Sequence, residues 1–338
     1  MNVGFKGLIG LIADFILVSD DKYVKNLGIC TYSIMHNMCS EVEKVRMFVM
    51  DCGITEENHQ RLLKQAARFD NAEIIFYDID KKLDAVMPKV ETTWHRAIYG
   101  RLFLDEIAKQ YGIDRLIYLD CDILMDGPIT ELFTMDLQGK CLAGVTDAAD
   151  KGRKIDLGMP PDSNYINSGM LVIDTARWIE LDASRRIIEY INSFPEALLF
   201  PDQDAINYIL GGEMLILPPE YNMMWMLCYS DIPKMFKSVP DFYYTPEQVD
   251  YALFMARIIH YAGHDMWCYD GVTPAAEVVF LKYRKLSDWR KCPRVYKTLS
   301  NTLIVFGVHV KRALQGEFLI INKKKKYYQN YKNGVEQK

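Results

Sequence analysis

Four short apolar runs punctuate the first 120 residues: Phe15–Val18 (FILV), Lys44–Met50 (KVRMFVM), Ala72–Ile79 (AEIIFYDI) and the core of Arg115–Leu119 (RLIYL). Each is nearly continuous in apolar residues rather than alternating, which is the pattern of a strand buried on both faces. Helical segments fill the gaps. One starts near Lys22, and a second, TEENHQRLLKQAARF, carries its acids in the first turn as the helix dipole prefers. A third, RAIYGRLFLDEIAKQYG, ends at Gly112, a natural left-handed stop. Strand–helix alternation of this kind predicts an α/β fold, a mostly parallel mixed sheet flanked by helices.

The second half is less regular. CLAGVTD (Cys141–Asp147) and NYINSGMLVID (Asn164–Asp174) read as strand-bearing, followed by one helix from about Thr175 to Ser193. FPDQDAINYIL (Phe200–Leu210) opens another helix, and RIIHYAGHDMW (Arg257–Trp267) is a short strand running into histidines.

In open α/β sheets, ligands bind outside the carboxyl ends of the strands. Two acidic strand ends stand there, SDD (Ser19–Asp21) and DCD (Asp120–Asp122). An ionised carboxylate at the end of a buried strand is costly without a cation, a shared proton or solvent. Residues two apart on extended chain point the same way, so Asp120 and Asp122 can grip one hard cation. A D-x-D triplet alone is weak, since solvated loop acids give the same letters; the strand end is what sharpens it.

Composition narrows the class. The 338 residues are 50% hydrophobic and 25% charged with a formal net charge of −5, as in a soluble globular protein. The eight cysteines show no CxxC pair and no zinc spacing, which suits a reducing compartment. The amino terminus, MNVGFKGLIGLIADFILV, lacks a positive n-region and is interrupted by Asp14, so it reads as neither a signal peptide nor a span. Residues 281–338 hold fifteen Lys/Arg against three Asp/Glu, leaving the preceding body acidic. Such a body disfavours nucleic acid, whereas a basic tail with Tyr and the apolar run TLIVFGVHV suits an anionic membrane surface.

With these motifs in place, the chain resembles family 8 glycosyltransferases, the retaining galactosyl- and glucosyltransferases of lipopolysaccharide and related glycans. IYLDCDIL is similar to their D-x-D element, LVSDDKY to their nucleotide-binding first strand end, and YGRLFL to their arginine-bearing helix. NSGMLVID, PDQDAIN and HYAG follow in the family's order as the Asn-[Ala/Ser]-Gly strand, the D-Q-D helix start and the late metal-binding histidine. The resemblance covers Phe15 to Gly263 and implies a GT-A-type domain over 1–275. Its nucleotide-binding half would be about 13–125 and its sugar/acceptor half about 126–275, with a basic, partly helical extension over 276–338.

The resemblance also implies residue roles. Asp120, Asp122 and His260 would hold a divalent metal, Mn²⁺ in preference to Mg²⁺ because of the imidazole. Val18, Ser19, Asp20 and Tyr23 would line the nucleotide site, with Arg101, Cys121, Ser168, Gly263 and His264 on the nucleotide-sugar. Asp147, Asn167, Asp202 and Gln203 would surround the transferred sugar as the catalytic group. The implied reaction is transfer of galactose or glucose from a UDP-sugar to a glycan or glycolipid acceptor. It would take place in the cytoplasm, peripheral to the inner membrane face. Two positions depart from the pattern: Lys22 stands where many relatives carry Asn, and Met266 where they carry a diphosphate-binding lysine, for which His264 is the candidate substitute.

Two other readings compete. Haloacid-dehalogenase-like phosphatases also end a strand in Asp-x-Asp, but they want Thr or Val where Leu124 stands and place the motif on the first strand. A sugar-nucleotide-binding protein with weak turnover is supported by the missing lysine alone. Residue by residue, Asn167 and Ser168 also fit a turn, Asp202 and Gln203 a helix cap, and His260 a hydrogen-bonded core position.

Overall fold

The structure, a computed structural model, describes residues 8–86, 96–147, 150–160, 162–224, 243–262 and 274–293. Among the described residues, ten strands form two sheets: β1 (Leu8–Ser19), β2 (Val42–Asp51), β3 (Ala72–Asp78), β4 (Arg115–Leu119), β5 (Ile123–Met125), β6 (Leu142–Gly144), β7 (Met170–Asp174), β8 (Met214–Ile216), β9 (Met223–Met224) and β10 (Ile258–His260). The main sheet runs β3-β2-β1-β4-β7-β6-β8, and β5-β10-β9 form a small second one. Pairings on the β3 side of β4 are parallel, while β7 runs antiparallel to both β4 and β6. The sheet is therefore mixed and mostly parallel, as its apolar runs predict.

Two register details position the site. Leu119 pairs with Met170 at the end of β4, and one residue on, the Asp120 N–H donates to the Gly169 carbonyl at 2.8 Å. In the small sheet, His260 pairs with Ile123 and with Met224, and the Tyr261 N–H donates to the Asp122 carbonyl at 2.9 Å. Chain segments more than a hundred residues apart thus meet beyond the carboxyl end of β4.

The elements differ from the sequence reading in three places. Strand β1 begins at Leu8 rather than Phe15, and Asp14 lies within it, buried and joined to Arg46 of β2 by two bonds of 2.6 and 2.8 Å. An ion pair across neighbouring strands is what lets the acid sit in an apolar run. The segment 96–111 is not one α-helix: Arg96–Phe103 is 3₁₀ and Leu104–Tyr111 is α. At Gly100 a side chain would strike Val18 and Ile79, so this stretch lies hard against the sheet. The helix expected over 175–193 is two, Thr175–Glu180 and Ala183–Ser193, broken where Asp182 takes a left-handed φ of 50°. Gly112 does end its helix in the left-handed conformation, at φ 61°.

The body continues past residue 275. Phe280 and Tyr283 of the Pro274–Leu286 helix, and Trp289 after it, are buried in the same core as β1 and the helix α1 (Val24–Met38). The indole of Trp289 occupies the space that a side chain at Gly28 of α1 would need, and Arg61 stacks over it at 4.0 Å. Tyr283 accepts from Asn37 of α1 at 2.8 Å. Among the described residues no helix is long and apolar enough to cross a membrane. The basic tail from residue 294 lies outside the described residues. Replacing Trp289 with Ala removes a fully buried large side chain and is expected to cost about 3–5 kcal/mol. A urea unfolding curve checks this, and an unchanged midpoint would show that the indole adds nothing to the core.

Candidate active site

The carboxyl ends of β4 and β10 bring Asp120, Asp122 and His260 together, each offering a ligand atom within 4.8 Å of the others. His260 Nε2 lies 3.3 Å from Asp122 Oδ1 and 3.8 Å from Asp120 Oδ2. His260 is buried, whereas the two aspartate side chains retain 27% and 20% of their exposure, which leaves the cluster open on one side. Two carboxylate oxygens and one imidazole nitrogen converging at an accessible point are a donor set that fits a hard divalent ion. Gly169 completes the fit. A Cβ there would meet the His260 ring and come within 2.7 Å of Asp120 Oδ2, so only glycine leaves room between them.

Asp120 is held from behind. Its Oδ1 accepts from Arg101 Nη2 at 2.8 Å and from the Tyr118 hydroxyl at 2.6 Å, which leaves Oδ2 for the cluster. Burial opposes ionisation of Asp120, but Arg101 and His260 outweigh it and hold the carboxyl below its usual range. Burial likewise opposes a charged His260, yet Asp122 and Asp120 together raise the imidazole above the ordinary histidine value. The His260 shift records the negative charge of the two aspartates beside it, and the Asp120 shift the positive charge of Arg101 and His260.

Arg101, buried at 4% exposure, links this cluster to a second group of polar residues. Its Nη1 lies 2.6 Å from the Ser168 carbonyl and 3.1 Å from Asp202 Oδ2, and its guanidinium stacks over Tyr118 at 4.2 Å. Ser168 Oγ donates to Asp202 Oδ2 at 3.2 Å. Burial pushes the Asp202 carboxyl above its usual range and Asp120 adds to the shift, while Arg101 opposes it.

Beside Asp202 lies a cage of amides. Gln203 Oε1 accepts from the Ser168 N–H at 3.0 Å and from Asn167 Nδ2 at 3.2 Å; its Nε2 donates to Asp147 Oδ2 and to the Tyr165 hydroxyl, both at 3.2 Å. Asn167 Nδ2 also reaches Asp147 Oδ2 at 3.1 Å. The four residues predicted around the sugar are therefore in one hydrogen-bonded group, each under a tenth exposed. Asp202 and Gln203 occupy the first turn of the Pro201–Leu210 helix. That helix is anchored by Asp204, which accepts from Arg153, from Tyr165, and from the N–H groups of Leu199 and Phe200.

At the strand end expected to line the nucleotide, β1 delivers Val18, Ser19 and Asp20, and Tyr23 follows, half exposed. Asp20 Oδ1 accepts from the Tyr23 N–H at 2.9 Å and so shapes the turn into α1. Asp21 accepts from Thr55 and from Asn58, tying the same turn to the helix α2 (Glu56–Ala66). Val18 packs with the apolar core beneath the sheet, and Cys121 turns its thiol back to the Val18 carbonyl at 2.9 Å. Burial raises that thiol far above the normal range, which makes it a neutral donor. The six described cysteines are all free thiols. Gly263 and His264 lie outside the described residues, as does Met266.

Four residues that hold the site were not singled out in the sequence: Tyr118, Gly169, Asp204 and Asn222. Asn222, wholly buried, bridges His260 Nδ1 at 3.1 Å and Asn167 Oδ1 at 2.9 Å. Gly169 and Asp204 do fall inside quoted motifs, so position within NSG and PDQD was the available signal. Asn222 carries no such mark.

Comparison with known proteins agrees with this geometry. The family Glycosyl transferase family 8 matches residues 14–266. General stress protein A of Bacillus subtilis is 31% identical over 214 residues, 62% of this chain and 73% of that protein. The lipopolysaccharide 1,2-glucosyltransferase of Escherichia coli K12 is 27% identical over 62% of this chain, and the match spans 61% of that enzyme's length. Among solved structures, the galactosyltransferase LgtC, crystallised with donor and acceptor sugar analogues, superposes with a TM-score of 0.66 at 22% identity, covering 81% of this chain and 96% of that one. The main sheet and its flanking helices thus have a GT-A-like fold. The match over residues 14–266 places this chain in glycosyl transferase family 8, as a glycosyltransferase.

Proposed function

We propose that the protein is a metal-dependent, retaining hexosyltransferase that moves galactose or glucose from a UDP-sugar to a glycan or glycolipid acceptor of the cell surface. The observation that carries this reading is the cluster of Asp120, Asp122 and His260 joined through Arg101 to Asp202 and its amide cage. One half suits a diphosphate with its counter-ion, and the other suits sugar hydroxyls.

Asp120, Asp122 and His260 would hold the divalent ion, Mn²⁺ in preference to Mg²⁺ because an imidazole is among the donors. When bound, such an ion offsets the charge of the diphosphate and of the departing UDP. The chain's own residues do the rest. Asp147, Asn167 and Asp202 offer acceptors and donors to the hydroxyls of the transferred sugar. Gln203 borders that space with an amide whose oxygen already receives two hydrogen bonds, so its dipole is preorganised. Ser19, Asp20 and Tyr23 flank the nucleotide, and Ser168 joins the two halves.

Two substitutions test the cluster. Asp122→Asn is expected to abolish UDP release while leaving the unfolding midpoint nearly unchanged, because a partly exposed carboxylate at a strand end adds little to the core. Gly169→Ala puts a methyl between His260 and Asp120 and is expected to weaken Mn²⁺ binding at least tenfold by calorimetry. Unchanged Mn²⁺ affinity in both would remove the metal from this site.

The nucleotide is tested by thermal shift. A ligand that binds the folded state stabilises it by mass action, so UDP with Mn²⁺ is expected to raise the melting temperature more than GDP or ADP does. A larger shift with GDP would overturn the UDP assignment. UDP release from UDP-glucose and UDP-galactose then identifies the hexose.

We also propose that the basic tail docks the enzyme on the cytoplasmic face of an anionic membrane, near a lipid-linked acceptor. The support is its charge, at about 1 kcal/mol per basic residue near such a surface. Full-length chain is expected to co-sediment with anionic liposomes in low salt and to be released by high salt as screening shortens. A tail-deleted chain that sediments equally well would refute the claim.

A further inference from the structure

His260 can meet a cation only through a ring nitrogen that carries no proton, and the hydrogen bonds around it determine which nitrogen that is. The chain of bonds starts at a backbone group whose identity is beyond doubt. The Gly169 N–H can only donate, so the Asn167 atom 3.0 Å from it is Oδ1. The opposite end of Asn167 is fixed independently. Its Nδ2 faces Asp147 Oδ2 at 3.1 Å and Gln203 Oε1 at 3.2 Å, and the latter is itself identified as oxygen by the Ser168 N–H at 3.0 Å.

Asn222 meets Asn167 Oδ1 at 2.9 Å and must therefore present its NH₂ there. Its remaining atom is the carbonyl oxygen, 3.1 Å from His260 Nδ1. A carbonyl oxygen can only accept, so Nδ1 must carry the proton. In the neutral ring, Nε2 then turns a bare lone pair toward Asp122 Oδ1 at 3.3 Å and Asp120 Oδ2 at 3.8 Å. Three electron-rich atoms then face one another with no donor among them, an arrangement that a bound cation relieves, as does a second proton on the ring. Asn222 is wholly buried and immediately precedes β9, the strand whose Met224 pairs with His260 of β10.

We propose that Asn222 is the positioning residue that fixes the tautomer of His260, holding the proton on Nδ1 and baring Nε2 toward Asp120 and Asp122. Metal-ligating histidines generally donate their second N–H to such a partner, and losing the partner typically weakens metal binding 10- to 100-fold. This consequence for metal affinity rests on the metal-dependent function proposed above; the tautomer itself does not.

The decisive measurement is made on the full, metal-free chain with ¹⁵N-labelled histidine, at a pH where the ring is neutral. Long-range ¹H–¹⁵N correlations are expected to show a protonated Nδ1 and a bare Nε2 for His260. An Nε2–H tautomer overturns the proposal, and because this step needs no variant, a substitution that fails to fold cannot obscure it. Calorimetry with Mn²⁺ follows. Asn222→Leu is expected to raise Kd 10- to 100-fold, whereas Asn222→Asp, which keeps an acceptor for Nδ1, is expected to stay within a few-fold of the unmodified protein. An unchanged Kd in Asn222→Leu also counts against the proposal. If the unmodified protein binds no Mn²⁺, the metal-dependent function falls, while the NMR result still decides the tautomer.

Discussion

The buried guanidinium of Arg101 is the contact on which the polar half of this molecule depends. A charge removed from water must be paired and fully hydrogen-bonded or it destabilises the fold. Arg101 meets that demand with Asp120, Asp202 and the Ser168 carbonyl, and rests its flat face on Tyr118. These partners come from β4, from the start of the Pro201–Leu210 helix and from the turn before β7. Satisfying one cation therefore sets the spacing between the acidic strand end and the amide cage. A shorter or non-planar cation would not reach all three, since the fork geometry of arginine is what spans them.

Around this centre the polar residues are ordered by donors that cannot be reversed. Backbone N–H groups of Ser168 and Gly169 orient the amides of Gln203 and Asn167, and these orient Asn222 and Asp147 in turn. A sugar bound as proposed would meet dipoles already aligned, which lowers the reorganisation needed during reaction. The network is also tightly interdependent: each amide has both ends committed, so removing one leaves a buried group without its partner.

Much of this was legible in the sequence. Four apolar runs announced four parallel-type strands, and the acids after Leu119 announced a candidate cation site, because buried strands seldom end in paired carboxylates without cause. His260, Asn167, Asp202 and Gln203 were legible only through the order of their motifs, since most of the side chains they meet lie far away in the chain. Gly169 stood in view, but its importance comes from the register of β4 on β7, which a single sequence does not print. Asn222 was invisible for the same reason, its role arising from the pairing of β9 with β10. The 3₁₀ turn at Arg96–Phe103 was missed because side-chain periodicity says little about pitch, whereas close approach at Gly100 decides it. The break at Asp182 likewise lies in one left-handed residue that carries no glycine to mark it.

The pairing of β5 with β10 has a consequence for biosynthesis. Asp122 and His260 are 138 residues apart in the chain, so the ribosome makes the acidic half of the cluster long before the basic half. At translation rates of 5–20 residues per second, that delay is about 7–30 s. Throughout it the nascent β1–β4 core carries two carboxylates at its edge with no imidazole opposite them. The nascent chain therefore lacks a complete ligand set until β10 docks. Assembly of the candidate metal cluster is thus a late event, and one that reports that nearly the whole catalytic body has been made.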